Sequence, residues 1–371
     1  MNDLPLNGIV VLEFAQYLSG PSAGLRLADL GARVIKIEKP GTGDAGRKLA
    51  IKNLWAEDGS SLLFHAINRN KDSVVADLKN ADDKERLCEL IKGADVLLHN
   101  FRPGVMEKNG LDYEEVRKIN KRIIYAEISG YGKTGPWKNK PGQDLLLQSI
   151  TGLTYTTGNG DNGPVPFGIS VGDILSGQQL VQGILAALIR RQKTNEGALI
   201  EVSLMESLLD FQFELLTTYY ATGIQPKRSI QNNGHTLLGA PYGLYQTKDG
   251  YIALAMMDLY ELADAIGCNA LKDFGRLEVF ERRDEIKLVL AAFLVNETSA
   301  SWIERLHEFG LWAMEVLDWD KMEQLEAYRI LEMEQQVNTN GNKFITTRCP
   351  VRINGKRLVS DKAAPAFTGI N

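Results

Sequence analysis

The stretch FGISVGDILSGQQLVQGILAALIRR, residues 167–191, sets one acid, Asp173, between a glycine and a long apolar run. Apolar residues at Ile174, Leu175, Leu180, Ile184, Leu185, Leu188 and Ile189 recur at helical spacing. An aspartate just ahead of such a run is a favoured N-cap, because its carboxylate accepts an otherwise orphan backbone N–H. The same position suits a nucleophile. A carboxylate with a reference pKa of about 3.9 is ionised at neutral pH and needs no general base. Residue type and spacing leave both roles open.

A second constellation imitates a dinucleotide site. The turn SGPSAG follows an apolar strand pattern, and Glu38 closes the next one. In a dehydrogenase such an acid holds a ribose, but the required G-x-G-x-x-G is absent: Gly20, Pro21 and Gly24 do not supply the two close glycines a pyrophosphate needs. Lys36 and Lys39 flank Glu38 and suit a phosphate better. Cys88, Cys268 and Cys349 are far apart and form no CxxC pair, which predicts free thiols in a reducing compartment. His65, His99, His235 and His307 show no ligand spacing, so no structural or catalytic metal is expected.

These residues need a scaffold, and the pattern along the chain supplies one. GIVVLEF (8–14), ARVIKIE (32–38), SVVADL (73–78), DVLLHN (95–100) and RIIYAEI (122–128) read as strands. Helices are predicted at 20–31, 81–92 and near 112–119. Strand–helix–strand repetition is the unit of a parallel sheet with helices on both faces. Residues 129–144, rich in Gly, Pro and Lys, form a loop, followed by long helices near 174–192 and 200–222. PYGLYQTKDGYIALAM (241–256) reads as a hairpin turning at Lys248–Asp249–Gly250, with helices near 258–266, 282–296 and 299–309. RCPVRINGKRL reads as a further hairpin.

The 371 residues exceed what one core usually serves. We expect a large α/β domain over 1–224, with the tail 326–371 returning to it, and a small α+β domain over 225–325. Net charge is −5, which argues against general nucleic-acid binding. Residues 1–140 carry 22 Lys/Arg against 19 Asp/Glu, and the remainder 20 against 28. The less acidic first third suits an anionic ligand. The start MNDLPLNG lacks a signal-peptide pattern and no apolar run is long enough to span a bilayer, so a cytoplasmic protein without membrane partners is expected.

Six stretches in order carry a resemblance: GIVVLEF…SGPSAG…LADLGARVIKIEKPGTGD, NRNKDSVVADLK, LLHNFRPGVMEKNGLDYE, IYAEISGYGKTGPW, VGDILSGQQLVQGILAAL and EGALIEVSLMESLL. Together they resemble the family III CoA-transferases, the group of formyl-CoA transferase, carnitine CoA-transferase and the 2-methylacyl-CoA racemases. The resemblance implies a doubly wound Rossmann-like large domain and an interlocked homodimer. It implies that Asp173 attacks an acyl-CoA thioester, giving a mixed anhydride and then an aspartyl-CoA thioester from which a carboxylic acid acceptor takes CoA. Gly172 and Gly177 would allow close approach, and the helix start would stabilise charge on the attacked carbonyl.

By family position, Leu18 lies by the pantetheine arm and Lys39 near the nucleotide. Ala76, Asp77, Leu78 and Lys79 line the adenosine pocket; Asn100, Phe101 and Arg102 contact the nucleotide end, and Lys108 a phosphate. Leu18 replaces the Gln of formyl-CoA transferase, which argues against a formate- or oxalate-specific site. Gln143 stands where the racemases carry a histidine base, and an amide cannot move the α-proton. Asp144 is expected to orient the acyl group or a neighbouring hydrogen bond, and Gly239 to lie in a loop near substrate, beside His235. Two alternatives stand beside CoA transfer: a 2-methylacyl-CoA racemase, and a CoA-binding dimer without turnover.

Overall fold

The computed structural model describes residues 4–50, 53–339 and 342–367. The chain divides into two compact units, Met1–Leu147 with Ser170–Leu208 and Ile330–Asn371, and Gln148–Ile169 with Leu209–Arg329. It therefore leaves the first unit after Leu147, returns at Ser170, and leaves again after Leu208.

The first unit is built on six strands: β1 (Val10–Glu13), β2 (Arg33–Glu38), β3 (Asp72–Val75), β4 (Val96–His99), β5 (Ile124–Ser129) and β6 (Ala198–Ser203). All pair in parallel, in the order β3-β2-β1-β4-β5-β6. Both faces of the central strands are buried, so they read as mostly apolar runs, with Glu13, His99 and Glu127 at or near their carboxyl ends. The helices are α1 (Ser19–Asp29), α2 (Leu62–Asn68), α3 (Ala81–Lys92), α4 (Val105–Asn109), α5 (Tyr113–Ile119), α6 (Asp144–Ile150), α7 (Val171–Thr194) and α8 (Leu204–Phe211), with α9 (Phe213–Thr222) following in the second unit. Leu87 and Ile91 of α3 and Val116 of α5 join Leu12, Ile35, Leu97 and Tyr125 in one core. α1 and α7 pack on each other and on the sheet. The result is a mixed α/β, Rossmann-like arrangement.

The helix expected over 200–222 is corrected. Residues 198–203 are strand β6, in register with β5 from Ile124↔Ala198 to Ser129↔Ser203. Gly197 lies so close to the Ile123 carbonyl that a Cβ would overlap it, which sets the strand down on the sheet edge. Ile200 and Val202 then favour extended backbone, and the open edge of β5 outweighs the helical continuation. The strand expected over 73–78 ends at Val75, and Ala76–Lys79 form a turn.

In the second unit, β7 (Gly243–Gln246), β8 (Tyr251–Leu254) and β9 (Ala313–Glu315) form an antiparallel sheet. The helices α10 (Leu259–Ile266), α11 (Arg283–Leu294) and α12 (Ser299–Glu308) cover one face, with Tyr245, Ile252, Leu254, Leu262, Leu290 and Trp302 in the core. The hairpin turn falls at 247–250, as expected, and Thr247 N bonds Gly250 O. Back in the first unit, β10 (Glu334–Thr339) pairs with β11 (Asn342–Thr347), a hairpin the sequence reading did not contain. β12 (Arg352–Ile353) with β13 (Lys356–Arg357) is the short hairpin it did. Among the described residues, no single helix is long and apolar enough to cross a membrane.

Candidate active site

In the strand order, β1 and β4 are neighbours whose connections run to opposite sides of the sheet. Such a switch point opens a crevice at the carboxyl ends of the strands. The loops that leave those ends carry the expected ligand residues: Leu18 after β1, Lys39 after β2, Ala76–Lys79 after β3 and Asn100–Arg102 after β4. Sequence position alone does not bring these segments together; the sheet does.

The β1–α1 turn is held from three sides. The Asn100 side chain accepts from Gln16 N at 2.9 Å and donates to Gln16 O at 2.7 Å and Ser19 Oγ at 3.1 Å. Asp44 accepts from Tyr17 N at 3.2 Å, where Tyr17 takes a left-handed φ of 63°. Beneath the turn, the buried Lys36 ammonium bonds Ala15 O at 2.8 Å and pairs with Glu13 at 2.9 Å and Asp44 at 2.6 Å. Lys36 is therefore committed inside the fold rather than offered to a phosphate. The buried Lys71 pairs with the other Glu13 oxygen at 2.8 Å and bonds Pro21 O at 2.8 Å. Burial works against the Lys36 charge, but Glu13 and Asp44 outweigh it and hold its pKa above the ordinary lysine value. α1 passes so close over this cluster that a Cβ on Gly24 would overlap the Glu13 carboxylate.

Glu38, the residue that mimics a ribose acid, is spent internally. It forms a two-pronged pair with Arg47, both contacts at 2.7 Å, and accepts from Asp44 N and Ser73 Oγ. Burial opposes its charge, and the Arg47 bonds outweigh that and hold its pKa below the usual value.

Asp173 is the third residue of α7, so it is not the N-cap the sequence allowed. Ser170 occupies that position without a side-chain bond. The capping carboxylate comes from Asp144, 28 residues before Gly172: its Oδ1 accepts from Gly172 N at 2.7 Å and Asp173 N at 3.3 Å. Those two N–H groups are therefore already engaged. Gly172 makes the approach possible, since a Cβ there would stand 2.9 Å from that Asp144 oxygen and 3.2 Å from Leu208. Gly177 permits a second close approach further along the helix: a Cβ would stand 2.5 Å from Ser22 Oγ and 2.8 Å from Ser19 O. This close crossing of α1 and α7 brings the Ser19 end of α1 against the first turns of α7.

Burial pushes Asp173 up to about 6; the negative charge of Asp144 adds to the shift and the nearby Ser19 hydroxyl opposes it. Among the described residues no lysine, arginine or histidine forms a salt bridge with Asp173. Asp173 is thus a half-buried carboxylate that no cation pairs with among the described residues.

The other expected residues divide by exposure. Lys39, Lys79, Arg102 and Lys108 are exposed cations, and Gln143 is exposed ahead of α6. Asp77 shapes its own turn, accepting from Lys79 N at 2.9 Å. Ala76 is buried, Leu18 and Leu78 are half-buried, and Phe101 packs against the core and stacks on His99. Gly239 belongs to the second unit, where a Cβ would crowd the Val279 carbonyl at 2.6 Å. His235, in the same unit, accepts from Leu237 N at 3.2 Å and faces Glu214 at 3.6 Å. Sequence reasoning missed Ser19 and Asp44, although both sit inside the stretches SGPSAG and PGTGD.

Comparison with known proteins agrees with this fold. The family model "CoA-transferase family III" matches residues 6–369. The acetyl-CoA:oxalate CoA-transferase of Acetobacter aceti is 37% identical over 85% of this chain and 81% of its own. The succinate–glutarate CoA-transferase of Agrobacterium fabrum is 36% identical over 81% and 76%. Among solved structures, a CaiB/BaiF family protein from Brucella suis superposes with a TM-score of 0.84 at 30% identity, over 99% of this chain and 97% of that one.

Proposed function

The chain belongs to CoA-transferase family III, and from that membership we propose a reaction in which Asp173 carries the acyl group and CoA in turn. An Asp173 oxygen attacks the thioester carbonyl of the acyl-CoA donor, and CoA leaves as thiolate. The product is a mixed anhydride. The thiolate then attacks the Asp173 carbonyl carbon, the donor acid leaves as carboxylate, and an aspartyl-CoA thioester remains. The acceptor carboxylate attacks that thioester and frees the thiolate again. Thiolate attack on the acceptor's acyl carbon yields the new acyl-CoA and restores Asp173. Each step exchanges one carboxylate or thiolate for another, so the sequence calls for no metal and no general base.

The observation that carries this reading is the uncompensated Asp173 carboxylate. A buried acid kept for structure is normally paired, whereas a nucleophile needs a free, poorly solvated oxygen. Its pKa near 6 leaves it ionised at neutral pH while making it more basic than an ordinary aspartate.

For the CoA substrate we assign Leu18 to the pantetheine arm, Lys39 and Ala76–Lys79 to the nucleotide, and Asn100, Phe101, Arg102 and Lys108 to its phosphate end. Their support is their common origin in the loops and the short helix beyond the carboxyl ends of β1–β4. Gln143, Asp144, Gly172 and Gly239 fall to the acyl and acceptor side. The acceptor class to try first is the longer dicarboxylic acids such as succinate and glutarate, for which one similar relative is named, since Leu18 argues against oxalate. We also propose an interlocked homodimer with 225–325 as its small domain. Helix α9 supports a partner chain: none of its residues is buried, although it contains Phe213, Leu215, Leu216, Tyr219 and Tyr220. Free thiols at Cys88, Cys268 and Cys349 fit a cytoplasmic enzyme.

Incubating the protein with acyl-CoA and hydroxylamine traps an Asp173 hydroxamate on this mechanism, detected by peptide mass spectrometry. Transfer that proceeds without label at Asp173, or that survives Asp173→Asn, removes the mechanism. Deuterium wash-in at the α-carbon would instead favour the racemase chemistry.

A further inference from the structure

Strand β4 ends at His99, and the next three residues, Asn100, Phe101 and Arg102, form the turn assigned above to the phosphate end of CoA. His99 is buried, and the proposed reaction leaves it unused. Its ring stacks on Phe101 with 6.0 Å between centroids and meets Tyr125 edge-on at 5.4 Å. Its two nitrogens face different partners. Nδ1 accepts from Phe101 N at 3.3 Å. Nε2 stands 3.4 Å from Oε2 of Glu127, the residue directly beside it on β5. Among the described residues Nε2 has no hydrogen-bond partner, so Glu127 acts on it by charge.

The bond at Nδ1 fixes the state of the ring. A nitrogen that accepts carries no proton, so His99 is neutral with its proton on Nε2. A second proton would set two N–H groups against each other and break the bond to Phe101. Glu127 by itself would favour that second proton, as an adjacent carboxylate does. Lys133 opposes it: its ammonium pairs with Glu127 Oε1 at 2.8 Å and also faces Glu201 at 3.6 Å. Burial disfavours the Glu127 charge, but the His99 and Lys133 contacts outweigh it and hold the carboxyl below its usual range. Arg102, Glu107, Asp112 and Tyr113 line the same recess. Asp112 is engaged by Glu114 N and the Tyr125 hydroxyl by Leu111 O.

We propose that His99 is a positioning residue for the CoA-binding turn, and that Lys133, by neutralising Glu127, keeps His99 in the neutral form that holds Phe101 N. This rests on the reading that Asn100–Arg102 bind CoA. The same turn carries Asn100, whose side chain clamps the β1–α1 turn through Gln16 and Ser19. A turn released at Phe101 therefore loosens the loops after β4 and β1 together. His99 touches no reacting atom and moves no proton during transfer, so its effect falls on acyl-CoA binding. As pH falls, the second proton displaces Phe101 N and binding weakens.

The test follows KM for acyl-CoA and kcat against pH in the wild type, His99→Asn, His99→Leu and Lys133→Met. Asn places an acceptor oxygen where Nδ1 was and takes no proton; Leu removes the acceptor; Met leaves Glu127 without its cation. Long-range proton–nitrogen spectra of the histidine-labelled protein, with His99 assigned by the signals lost in His99→Asn, should show a neutral ring protonated on Nε2 at neutral pH. KM should rise about 2- to 10-fold in His99→Leu, the worth of one hydrogen bond. His99→Asn should keep a low KM and lose the rise at acid pH. In Lys133→Met that rise should begin at higher pH, and KM should rejoin the wild type in alkali. In all variants kcat should change about twofold at most, as for residues that act on binding alone. Thermal unfolding midpoints check that the fold is retained. A ring protonated on Nδ1, or doubly protonated at neutral pH, overturns the proposal. So does a Lys133→Met whose KM is raised equally at every pH, which marks Lys133 as an ordinary contact. An unchanged KM in Arg102→Ala overturns the CoA assignment of the turn and the binding role with it, whatever tautomer the spectra show.

Discussion

Replacing Asp173 by Asn should stabilise the folded protein while abolishing transfer, and the gain should depend on pH in a defined way. The folded carboxyl has a pKa of about 6 against a reference of 3.8, mainly because burial disfavours its charge and Asp144 repels it. Two pH units correspond to about 3 kcal/mol at roughly 1.4 kcal/mol each. Because part of the side chain still meets solvent, about 2–3 kcal/mol is the expected cost of the charge. A raised acid pKa destabilises the fold where the group is ionised. Below pH 4 both states hold the proton and the cost is absent. Between pH 4 and 6 the unfolded chain gives up its proton first, and the cost grows; above pH 6 it is complete. Asn has the same shape but carries no charge. Scanning calorimetry of both proteins should show coincident midpoints near pH 4. At pH 8 the variant should unfold roughly 4–12 °C higher, at about 2–4 °C per kcal/mol for a unit of this size. An equal gap at both pH values, or a less stable variant at pH 8, would refute the account of Asp173 as an unpaired buried charge.

Other substitutions follow from the same contacts. Asp144→Asn keeps an acceptor for Gly172 N but removes the charge that raises Asp173, so the ascending limb of the rate profile should shift below pH 6. Asp144→Ala additionally loses the α7 cap, and chemical denaturation should register about 0.5–2 kcal/mol. Gly177→Ala places a methyl against Ser19 O and Ser22 Oγ; calorimetry should find a cost of roughly 1–3 kcal/mol and kinetics a lower kcat, since α1 must retreat from α7. Glu13→Gln leaves Lys36 and Lys71 buried without their shared carboxylate and should destabilise by roughly 3–5 kcal/mol in urea unfolding.

Much of the frame was legible because it obeys local periodicity. The strands GIVVLEF, ARVIKIE and DVLLHN are buried on both faces, and the regular alternation with helices implied a parallel sheet. The sixth strand was hidden because ALIEVS runs directly into the apolar helix LMESLLDF without a turn residue between them. Only the edge of β5, more than 70 residues earlier, decides its conformation. The site was legible in its residue types and not in its wiring. Asp173 stood out by position, but what caps its helix is an acid at the start of α6, 28 residues before Gly172, a pairing no period encodes. Ser19 passed unremarked within SGPSAG, and only the crossing of α1 and α7 at Gly177 sets that turn against the start of α7. Lys36, whose place beside Glu38 suited a phosphate, lies wholly inside with Lys71, because a charge type carries no signal of the acids that will enclose it.

The path of the chain between its two units bears on how the chemistry could be governed. The polypeptide departs at Leu147, three residues after Asp144, and re-enters at Ser170, three residues before Asp173. The two carboxylates that repel each other are thus tied by short tethers to the ends of one excursion, residues 148–169. A change in the separation of Asp144 and Asp173 alters the basicity of the Asp173 carboxylate, since the repulsion falls with distance. Substitutions within 148–169 that shift either end of that segment should therefore register as altered acidity of Asp173.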